Sequence, residues 1–368
     1  MIKHILCSIA LWVMAASVVA QQVTPVKNVI VYDDPVRYAG WPANGGIWCW
    51  DNEIVVVFYL GYLRTDGGGS YPIDREKPQV LRQARSVDGG ETWTLETPSF
   101  LGEDGQVKEP VPFTDAIDFT QPNFAMKFHM QDSNEGYSSF FWTNDRCKTW
   151  QGPVKLPMFD RKGILARTDY IVDGPHELMA FIAATKDSGG EGWPFCTRTS
   201  DGGKTWDFVS WIGEQPGEGY SIMPSTVRLS ETELYTYIRC ARGARPNRSF
   251  WIEPYRSLDN GKSWQLEENN RVENGGNPPS MIKLADGRLV LTYGGRDEPF
   301  GIRARLSSDG GRNWSPEMKL REDGGAWDLG YVRTVQRADG KIVTVYYFND
   351  STRPERYIAA TIWDPGQK

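Results

Sequence analysis

The chain has 368 residues and a formal net charge of −6, with 15 Trp, 16 Tyr and 15 Phe beside 38 Gly and 23 Pro. So many aromatic and turn-forming residues favour an all-β protein built from short strands. The negative charge disfavours nucleic acid as a partner, because a surface that binds phosphates is normally basic. A locally basic pocket remains compatible with this charge.

The N-terminal twenty residues predict a signal peptide. A short polar head precedes an almost wholly apolar run from Ile5 to Val19, and small residues then offer a cleavage site before Gln21. The apolar run covers about 15 residues, which is short for a membrane span. We therefore expect a secreted or periplasmic protein with residues 21–368 as a single domain and no stable membrane insertion after cleavage. An uncleaved anchor is the alternative.

Four cysteines remain after this cleavage, and their wide spacing is not that of a metal site. No cofactor-binding loop is found either, so we expect neither a metal nor a cofactor. An exported location permits disulfides, but we interpret the cysteines as small buried hydrophobic residues. They are Cys49, Cys147, Cys196 and Cys240.

Along the chain, the strongest pattern is a repeat of the form Ser/Thr-x-Asp-x-Gly-x-Thr/Ser-Trp, the Asp box. We interpret each copy as a hairpin turn in which the carboxylate accepts hydrogen bonds from its own backbone, the Gly supplies a positive φ and the Trp covers the turn. Cys147 replaces the Gly of the second copy, which predicts a slightly strained or rearranged turn. The aspartates are structural, are separated by 57, 56, 58 and 50 residues, and are Asp88, Asp145, Asp201, Asp259 and Asp309.

Strongly β-forming runs recur between the boxes. A period near 55 residues holds about four short strands, which is one propeller blade. The sequence therefore predicts a six-bladed β-propeller with Asp-box turns. We expect Lys27–Tyr32 to pair beside Tyr357–Trp363 and close the ring, which removes an open sheet edge. The β-forming runs are 53–59, 177–183, 233–239, 288–293 and 341–347.

These boxes on a six-unit period resemble the sialidase (neuraminidase) superfamily over nearly the whole mature chain. Other glycosidases, some polysaccharide lyases and non-enzymatic propellers share the box, so it fixes the fold and leaves the function open. The resemblance implies a Tyr nucleophile assisted by a Glu, an Asp acid/base, and three Arg residues that grip the substrate carboxylate. A neutral phenol suits a substrate whose carboxylate would repel an anionic nucleophile, and Arg binds a carboxylate through paired hydrogen bonds.

Transferred residue by residue, the resemblance makes Tyr331 the candidate nucleophile, because it opens the last unit before a matching turn and strand. Asp74, in a loop before the first box, is the candidate acid/base, with Asp66 and Glu76 as competitors. Arg239 ends an apolar strand at the place of the family's second Arg. A charged residue at the end of such a strand needs a partner or a ligand.

The third family Arg precedes the fifth box. Arg303 and Arg305 occur there, and strand alternation puts them on one face. We prefer Arg303 and keep Arg296, further upstream, as its rival.

Two departures from the family pattern concern the first unit and the fourth. Gly40-Trp41-Pro42 replaces the family's first Arg-containing motif, so that Arg is missing unless Arg37 reaches in. The assisting Glu would fall near Pro224, where no carboxylate occurs, and Glu218 would need to fold inward. These departures suggest a different sugar acid, a different mechanism or no catalysis.

Further polar groups stand at the expected channel positions. Arg167 is a candidate replacement for the absent carboxylate anchor, and Asp118 or Asp169 is an alternative acid. Glu191 lies in a Gly-rich loop that we expect to overhang the mouth, and Arg333 follows Tyr331 by two residues. Each also has a simpler interpretation as a loop residue or a structural ion pair.

The leading hypothesis is a secreted, monomeric glycoside hydrolase that releases a terminal acidic sugar from the non-reducing end of a glycan. One alternative is a non-catalytic glycan-binding propeller, supported by the missing Arg and Glu. The other is a polysaccharide lyase acting on uronates, for which His129 and His176 are the only histidines of the mature chain.

Overall fold

The computed structural model describes residues 27–64, 71–244 and 246–366, which form six antiparallel β-sheets. The predicted all-β, six-bladed propeller with Asp-box turns is confirmed. The helical segments within these ranges are a four-residue α-helix, α1 (Pro42–Gly45), and a 3-10 turn at Glu268–Asn270. None of the described helices is long and apolar enough to cross a membrane. The predicted signal peptide lies outside the described residues.

The strands follow one another blade by blade along the chain. The first strand, which belongs to the sixth blade, is β1 (Lys27–Tyr32). Blade 1 consists of β2 (Arg37–Gly40), β3 (Ile47–Trp50), β4 (Glu53–Tyr62), β5 (Val80–Ser86) and β6 (Thr94–Glu96). Blade 2 consists of β7 (Ala125–Met130), β8 (Ser138–Thr143) and β9 (Gln151–Lys155). Blade 3 consists of β10 (Ile164–Leu165), β11 (Tyr170–Val172), β12 (Leu178–Thr185), β13 (Glu191–Thr199) and β14 (Asp207–Trp211).

The remaining blades continue the pattern. Blade 4 consists of β15 (Gly219–Arg228), β16 (Leu234–Arg242), β17 (Ser249–Ser257), β18 (Gln265–Leu266) and β19 (Val272–Glu273). Blade 5 consists of β20 (Ser280–Lys283), β21 (Leu289–Gly295), β22 (Gly301–Ser307) and β23 (Met318–Arg321). Blade 6 consists of β24 (Gly330–Gln336), β25 (Ile342–Phe348), β26 (Tyr357–Trp363) and β1. The five predicted β-forming runs coincide with the strands that lie second from the inner edge of their sheets. These strands are β4, β12, β16, β21 and β25.

The ring closes between the two ends of the described chain, as predicted. β1 pairs antiparallel with β26, and the register runs from Lys27 opposite Ile362 to Tyr32 opposite Ile358. The outer edge of the sixth sheet is therefore supplied by the N-terminal strand. The innermost strands of the blades contact one another around the axis, for example β15 with β20 and β20 with β24.

The Asp boxes form the predicted turns. In the fourth box, the backbone N–H of Ser263 donates to Asp259 Oδ1 at 2.9 Å, and the Ser263 hydroxyl donates to Oδ2 at 2.6 Å. These hydrogen bonds hold the pKa of Asp259 at about 2. In the second box Cys147 has φ +63, whereas Gly261 occupies the equivalent position with φ +84. The predicted strain at Cys147 is confirmed, because a residue with a Cβ is disfavoured in the left-handed region.

The core lies between neighbouring blades. The cluster between blades 6 and 1 includes Tyr38, Phe58, Val345 and Tyr347, and it extends inward to Tyr331. The four cysteines of the described residues are free, and all except the half-buried Cys49 are buried, as the interpretation of small hydrophobic residues requires.

Candidate functional site

Two open cavities meet over the inner strands, one of about 650 Å³ and the other of about 640 Å³. Tyr71 and Tyr331 line both cavities and therefore mark their boundary. We call the larger one the aromatic chamber and the other the cationic chamber. Principal residues of the aromatic chamber are Trp41, Tyr59, His129 and Tyr137. Principal residues of the cationic chamber are Glu191, Tyr220, Arg239, Arg296 and Trp327.

Tyr331 is held by an unusual backbone at the start of β24. Its φ is +48, in a region that bulky residues rarely occupy, and the strand register shifts between Gly330 and Arg333. The Tyr331 N–H donates to Asn277 Oδ1 at 2.8 Å. A Cβ on Gly330 would lie 2.2 Å from the same amide oxygen, so only Gly allows this approach. Backbone outliers of this kind concentrate at functional sites.

Arg239 reaches Tyr331 from the second strand of blade 4. Its Nη1 donates to the Tyr331 hydroxyl oxygen at 2.8 Å, and its guanidinium lies 5.1 Å from the centre of the Tyr220 ring. The side chain is 7% exposed, and its Nε has no hydrogen-bond partner among the described residues. A buried N–H without a partner is costly, so an anion in the chamber would satisfy it. Because Arg239 only donates, the proton of the Tyr331 hydroxyl remains free for another acceptor.

Arg296 flanks Tyr331 from blade 5. Its Nη2 donates to the Tyr347 hydroxyl at 2.8 Å, and its guanidinium lies 5.2 Å from the centre of the Trp327 ring. Tyr347 in turn donates to the fully buried Asp328 at 2.6 Å. Arg356 Nε also donates to Asp328, at 3.0 Å. Arg296 is thus fixed in place by a buried polar network that also includes Tyr38.

Arg167 lines neither chamber itself, but it binds one residue from each. Arg167 Nη2 lies 2.5 Å from Glu191 Oε1, and its Nε donates to Asn44 Oδ1 at 3.1 Å. Glu191 lines the cationic chamber, whereas Asn44 lines the aromatic one. Arg167 is 9% exposed, and its Nη1 is buried without a partner in the described part of the chain. The pair Arg167 and Glu191, which the sequence named separately, is a unit beside the predicted Tyr331 and Arg239.

The structure brings Arg296, kept as the rival, to the cationic chamber and does not bring the preferred Arg303 there. Arg303 lies on the third strand of blade 5, outside the inner strands, and lines neither chamber. Its guanidinium donates to the Arg321 carbonyl at 2.7 Å and pairs with Glu317 at 3.2 Å. The prediction that Arg303 and Arg305 share a face is confirmed, because Arg305 donates to the Tyr293 hydroxyl that also binds Glu317.

The structure does not bring Asp74 to the site. Its carboxylate pairs with Lys77 at 3.1 Å, and the hydrogen bond from Lys77 lowers its pKa, which is opposite to the change that favours a general acid. Tyr71, three residues earlier in the same loop, reaches both chambers instead. Of the two competitors, Glu76 is exposed, and Asp66 lies outside the described residues.

Asp118 is not brought to either chamber. Its carboxylate accepts hydrogen bonds from the Thr120 N–H at 2.9 Å and the Thr120 hydroxyl at 2.6 Å, which makes it a turn former. The adjacent Ile117 N–H donates to the Gly202 carbonyl, so Asp118 lies beside the third Asp box.

At the two places where the sequence departs from the family pattern, neither of the possible substitutes, Arg37 and Glu218, reaches the chambers. Arg37 does not reach in, because its Nε donates to the Gly61 carbonyl at 2.7 Å and its guanidinium covers the Tyr62 ring. Glu218 is exposed and lines neither chamber. Near the position expected for the assisting Glu, Met223 lies against Arg239, with its sulfur 3.8 Å from Nη1.

Asp169 and Arg333 line neither chamber. Asp169 accepts a hydrogen bond from the Thr226 hydroxyl at 2.8 Å, and burial raises its pKa to about 7 although Arg333 partly opposes the change. Arg333 donates to the carbonyl oxygens of Ala43 and Thr168. Both residues therefore stabilise the contacts between inner strands.

Sequence reasoning missed several aromatic walls of the site. Tyr71, Tyr220 and Trp327 carry no motif. Tyr71 and Trp327 lie in loops, and Tyr220 lies at the start of the inner strand β15. Burial raises the pKa of Tyr71 and of Tyr220, so both are neutral hydrogen-bonding groups near neutral pH.

A six-bladed propeller with Asp-box turns and a polar site over its inner strands is the architecture of the sialidase-like superfamily, so the predicted resemblance is confirmed. The chain belongs to the BNR repeat-like domain family, whose model matches residues 131–345. No curated protein matches the chain.

Solved structures resemble the chain at low sequence identity. A protein of unknown function from Dyadobacter fermentans is 22% identical, with a TM-score of 0.70 over 93% of this chain and 99% of that one. The α-L-arabinofuranosidase Arb93A from Fusarium graminearum is 12% identical, with a TM-score of 0.60 over 94% and 98%. A mutant sialidase from Trypanosoma rangeli is 12% identical, with a TM-score of 0.59 over 93% of this chain and 60% of that one. At these identities the likeness shows a fold shared with glycoside hydrolases.

Proposed function

We propose that this protein is a glycoside hydrolase that releases a terminal sugar bearing a carboxylate from a glycan. The observation that carries the proposal is the pair of buried arginines, Arg239 and Arg296, on either side of Tyr331 in an open chamber. Arg239 keeps a buried Nε–H without a partner among the described residues, and such a group favours an anionic ligand. Arg296 adds a second buried positive charge to the same chamber. Trp327, which is 36% exposed, offers an aromatic surface for a sugar ring at the same mouth. The predicted signal peptide supports action outside the cytoplasm, secreted or periplasmic.

In the proposed reaction, Tyr331 attacks the anomeric carbon as a neutral nucleophile while Arg239 and Arg296 hold the carboxylate, and the bond from that carbon to the leaving oxygen breaks. Water then cleaves the bond between Tyr331 and the sugar, which releases the free sugar acid and restores the phenol. Glu191 lines the same chamber and replaces the missing Glu as the group that takes the phenolic proton. The leaving oxygen needs a proton donor. Because Asp74 points elsewhere, we assign this role to Glu109, a carboxyl group that lines the aromatic chamber.

The test is hydrolysis of a panel of fluorogenic glycosides of sialic acid, other ulosonic acids and uronic acids, with neutral arabinofuranosides included. We expect turnover of an acidic glycoside, and a Tyr331→Phe variant that folds normally but loses at least about 10³-fold in kcat. Tyr32→Phe, which removes a hydroxyl far from the chambers, is the matched control. Full activity of Tyr331→Phe, or turnover of neutral glycosides alone, would refute the proposal.

A second candidate is a polysaccharide lyase, favoured by one observation. His129 Nδ1 lies 3.5 Å from the Tyr59 hydroxyl on the wall of the aromatic chamber. Burial lowers the pKa of His129 to about 3, which makes it a weak base. His176, the other histidine, binds the Ile117 carbonyl beside an Asp box and is excluded. An unsaturated, ultraviolet-absorbing product from a uronate-containing glycan would select the lyase.

A further inference from the structure

The segment between blades 4 and 5 contains the sequence Asn274-Gly-Gly-Asn277, which we call the NGGN loop. It joins β19 to β20, and its two glycines line the cationic chamber. Both asparagines are buried, and the loop is closed by its own hydrogen bonds. Asn274 Nδ2 donates to the Asn277 carbonyl at 2.8 Å, and the Gly276 N–H donates to Asn274 Oδ1 at 3.1 Å. The loop is therefore a defined structure in the wall of the site.

Asn277 holds the backbone that carries Tyr331. Its Oδ1 accepts the Tyr331 N–H at 2.8 Å, and its Nδ2 donates to the Leu329 carbonyl at 3.1 Å. The amide is fully buried between two glycines, since a Cβ on Gly330 would lie 2.2 Å from Oδ1 and a Cβ on Gly294 would lie 2.5 Å from Nδ2. Because both ends of the amide are bonded, it fixes the turn in which Tyr331 has a φ of +48.

The same loop holds Arg296. The Arg296 Nη1 donates to the Gly276 carbonyl at 3.5 Å, and its Nε donates to the Leu329 carbonyl at 3.3 Å. This Leu329 carbonyl is the one that also binds Asn277. A Cβ on Gly275 would lie 2.6 Å from the Arg296 Cβ, so the close approach of the loop requires Gly at this position, where φ is +67.

Resting on the proposed function, we propose that the NGGN loop sets the relative positions of Tyr331 and Arg296. Asn277 is a positioning residue for Tyr331, and Gly275 positions Arg296. Without the Asn277 amide, the positive φ of a bulky residue is no longer held, and the phenol moves from its place beside Arg239. A displacement of about 1 Å at a reacting group can cost roughly 10²-fold in rate.

The direct test is fluorine NMR of the full chain with 3-fluorotyrosine at position 331, which reports on this ring whether or not the protein is an enzyme. Asn277→Ala should displace or split the resonance. Asn277→Asp should keep a single resonance near that of the wild type, because it retains an oxygen for the Tyr331 N–H. Asn277→Ser is too short to reach this N–H and serves as the second variant if Asn277→Ala does not fold. Asn123→Ala is the control, since Asn123 accepts from Arg146 Nε beside the second Asp box.

Kinetics on an acidic glycoside that the wild type hydrolyses give the second readout. Asn277→Ala should lower kcat by about 10²-fold and change KM by no more than about threefold, because Arg296 keeps its hydrogen bond to Tyr347. Gly275→Ala should instead raise KM by about tenfold or more, because the added Cβ displaces Arg296. Asn277→Asp should recover most of the lost kcat.

An unchanged fluorine resonance in the Ala and Ser variants of Asn277 would overturn the positioning role. A change of KM alone in these variants would also overturn it, and so would an Asn277→Asp protein that behaves like Asn277→Ala, because the effect would then come from lost packing. If the wild type hydrolyses no acidic glycoside, the proposed function fails. The fluorine resonance then still decides whether the NGGN loop positions Tyr331.

Discussion

The family resemblance named Tyr331 and Arg239 at matching points of their repeats, and the structure brings the two together, with 2.8 Å between Arg239 Nη1 and the Tyr331 hydroxyl oxygen. Arg296 could not be preferred over Arg303 on the same basis. Alternation shows which residues of a strand share a face, but Arg296 follows its strand, and its direction depends on the buried network at Asp328. Similarly, Asp74 and Tyr71 belong to one loop, and only the packed loop shows which one enters the site.

Because Arg296 lines the cationic chamber and Arg303 does not, variants of the two arginines should behave differently. Arg296→Gln should weaken binding of a sugar acid by about tenfold or more, because it removes a charge-assisted contact. Arg303→Gln should leave binding unchanged and lower the free energy of unfolding by roughly 1–3 kcal/mol, since it breaks contacts with Arg321 and Glu317. Calorimetry and urea unfolding of both variants measure the two effects. Loss of binding in Arg303→Gln alone would restore the original assignment.

Lys127 is a buried cation outside the chambers. It is 1% exposed, its Nζ donates to the Phe128 carbonyl at 3.0 Å, and burial lowers its pKa to about 7. Its folded pKa lies below the unfolded value of 10.5, so the destabilisation is complete below pH 7 and disappears as the pH rises towards 10.5. Wild-type stability should therefore rise with pH across this window.

Lys127→Met should remove that pH-dependent destabilisation. We expect a gain in the free energy of unfolding on the order of 3–5 kcal/mol at pH 6, which shrinks to about 1 kcal/mol near pH 9.5. Urea unfolding at the two pH values measures the gain. Lys148→Met, at an exposed position of the second Asp box, is the control and should change little. A gain that does not depend on pH would show that Lys127 is accommodated as a cation.

Among the elements of the fold, the strands and the turns could be predicted best from the sequence. The Asp-box turns and the second strand of each blade follow from local sequence. The loop after β4, where Leu63 pairs with Ile73 in an isolated bridge, does not, and it delivers Tyr71 to the boundary of the chambers. The bulge at Gly330 also could not be predicted, because it depends on Asn277, which lies in the segment between blades 4 and 5.

Among the elements of the fold, β1 closes the ring, and we expect disruption of β1 to lower the free energy of unfolding most. Val31 is 7% exposed and belongs to the core between blades 6 and 1. Val31→Asp should cost about 3 kcal/mol or more, because it loses apolar burial and places a carboxylate in the core. Val36→Asp, at a 65% exposed position just after β1, should change stability by no more than about 0.5 kcal/mol. Equal unfolding midpoints for the two variants would mean that β1 does not close the ring.

For the whole molecule, the Asp boxes and the chambers occupy opposite ends of the blades. β13 begins at Glu191 in the cationic chamber and ends at Thr199 before the third box, a span of roughly 26 Å for an extended strand. The end of the blades that carries the Asp boxes can be recognised in the sequence, because the blades need the same turn and therefore repeat the same motif. It does not mark the chambers, because each blade contributes different residues to them.

The central claim is that Arg239 and Arg296 recognise a sugar carboxylate beside Tyr331. It is tested most directly by titrating the Tyr331→Phe protein with the methyl glycosides of N-acetylneuraminic acid and glucuronic acid, each beside its methyl ester. One acid should bind, and its ester should bind at least about tenfold more weakly, because the ester cannot accept charge-assisted hydrogen bonds from the two guanidinium groups. Equal affinity for acid and ester would contradict the account.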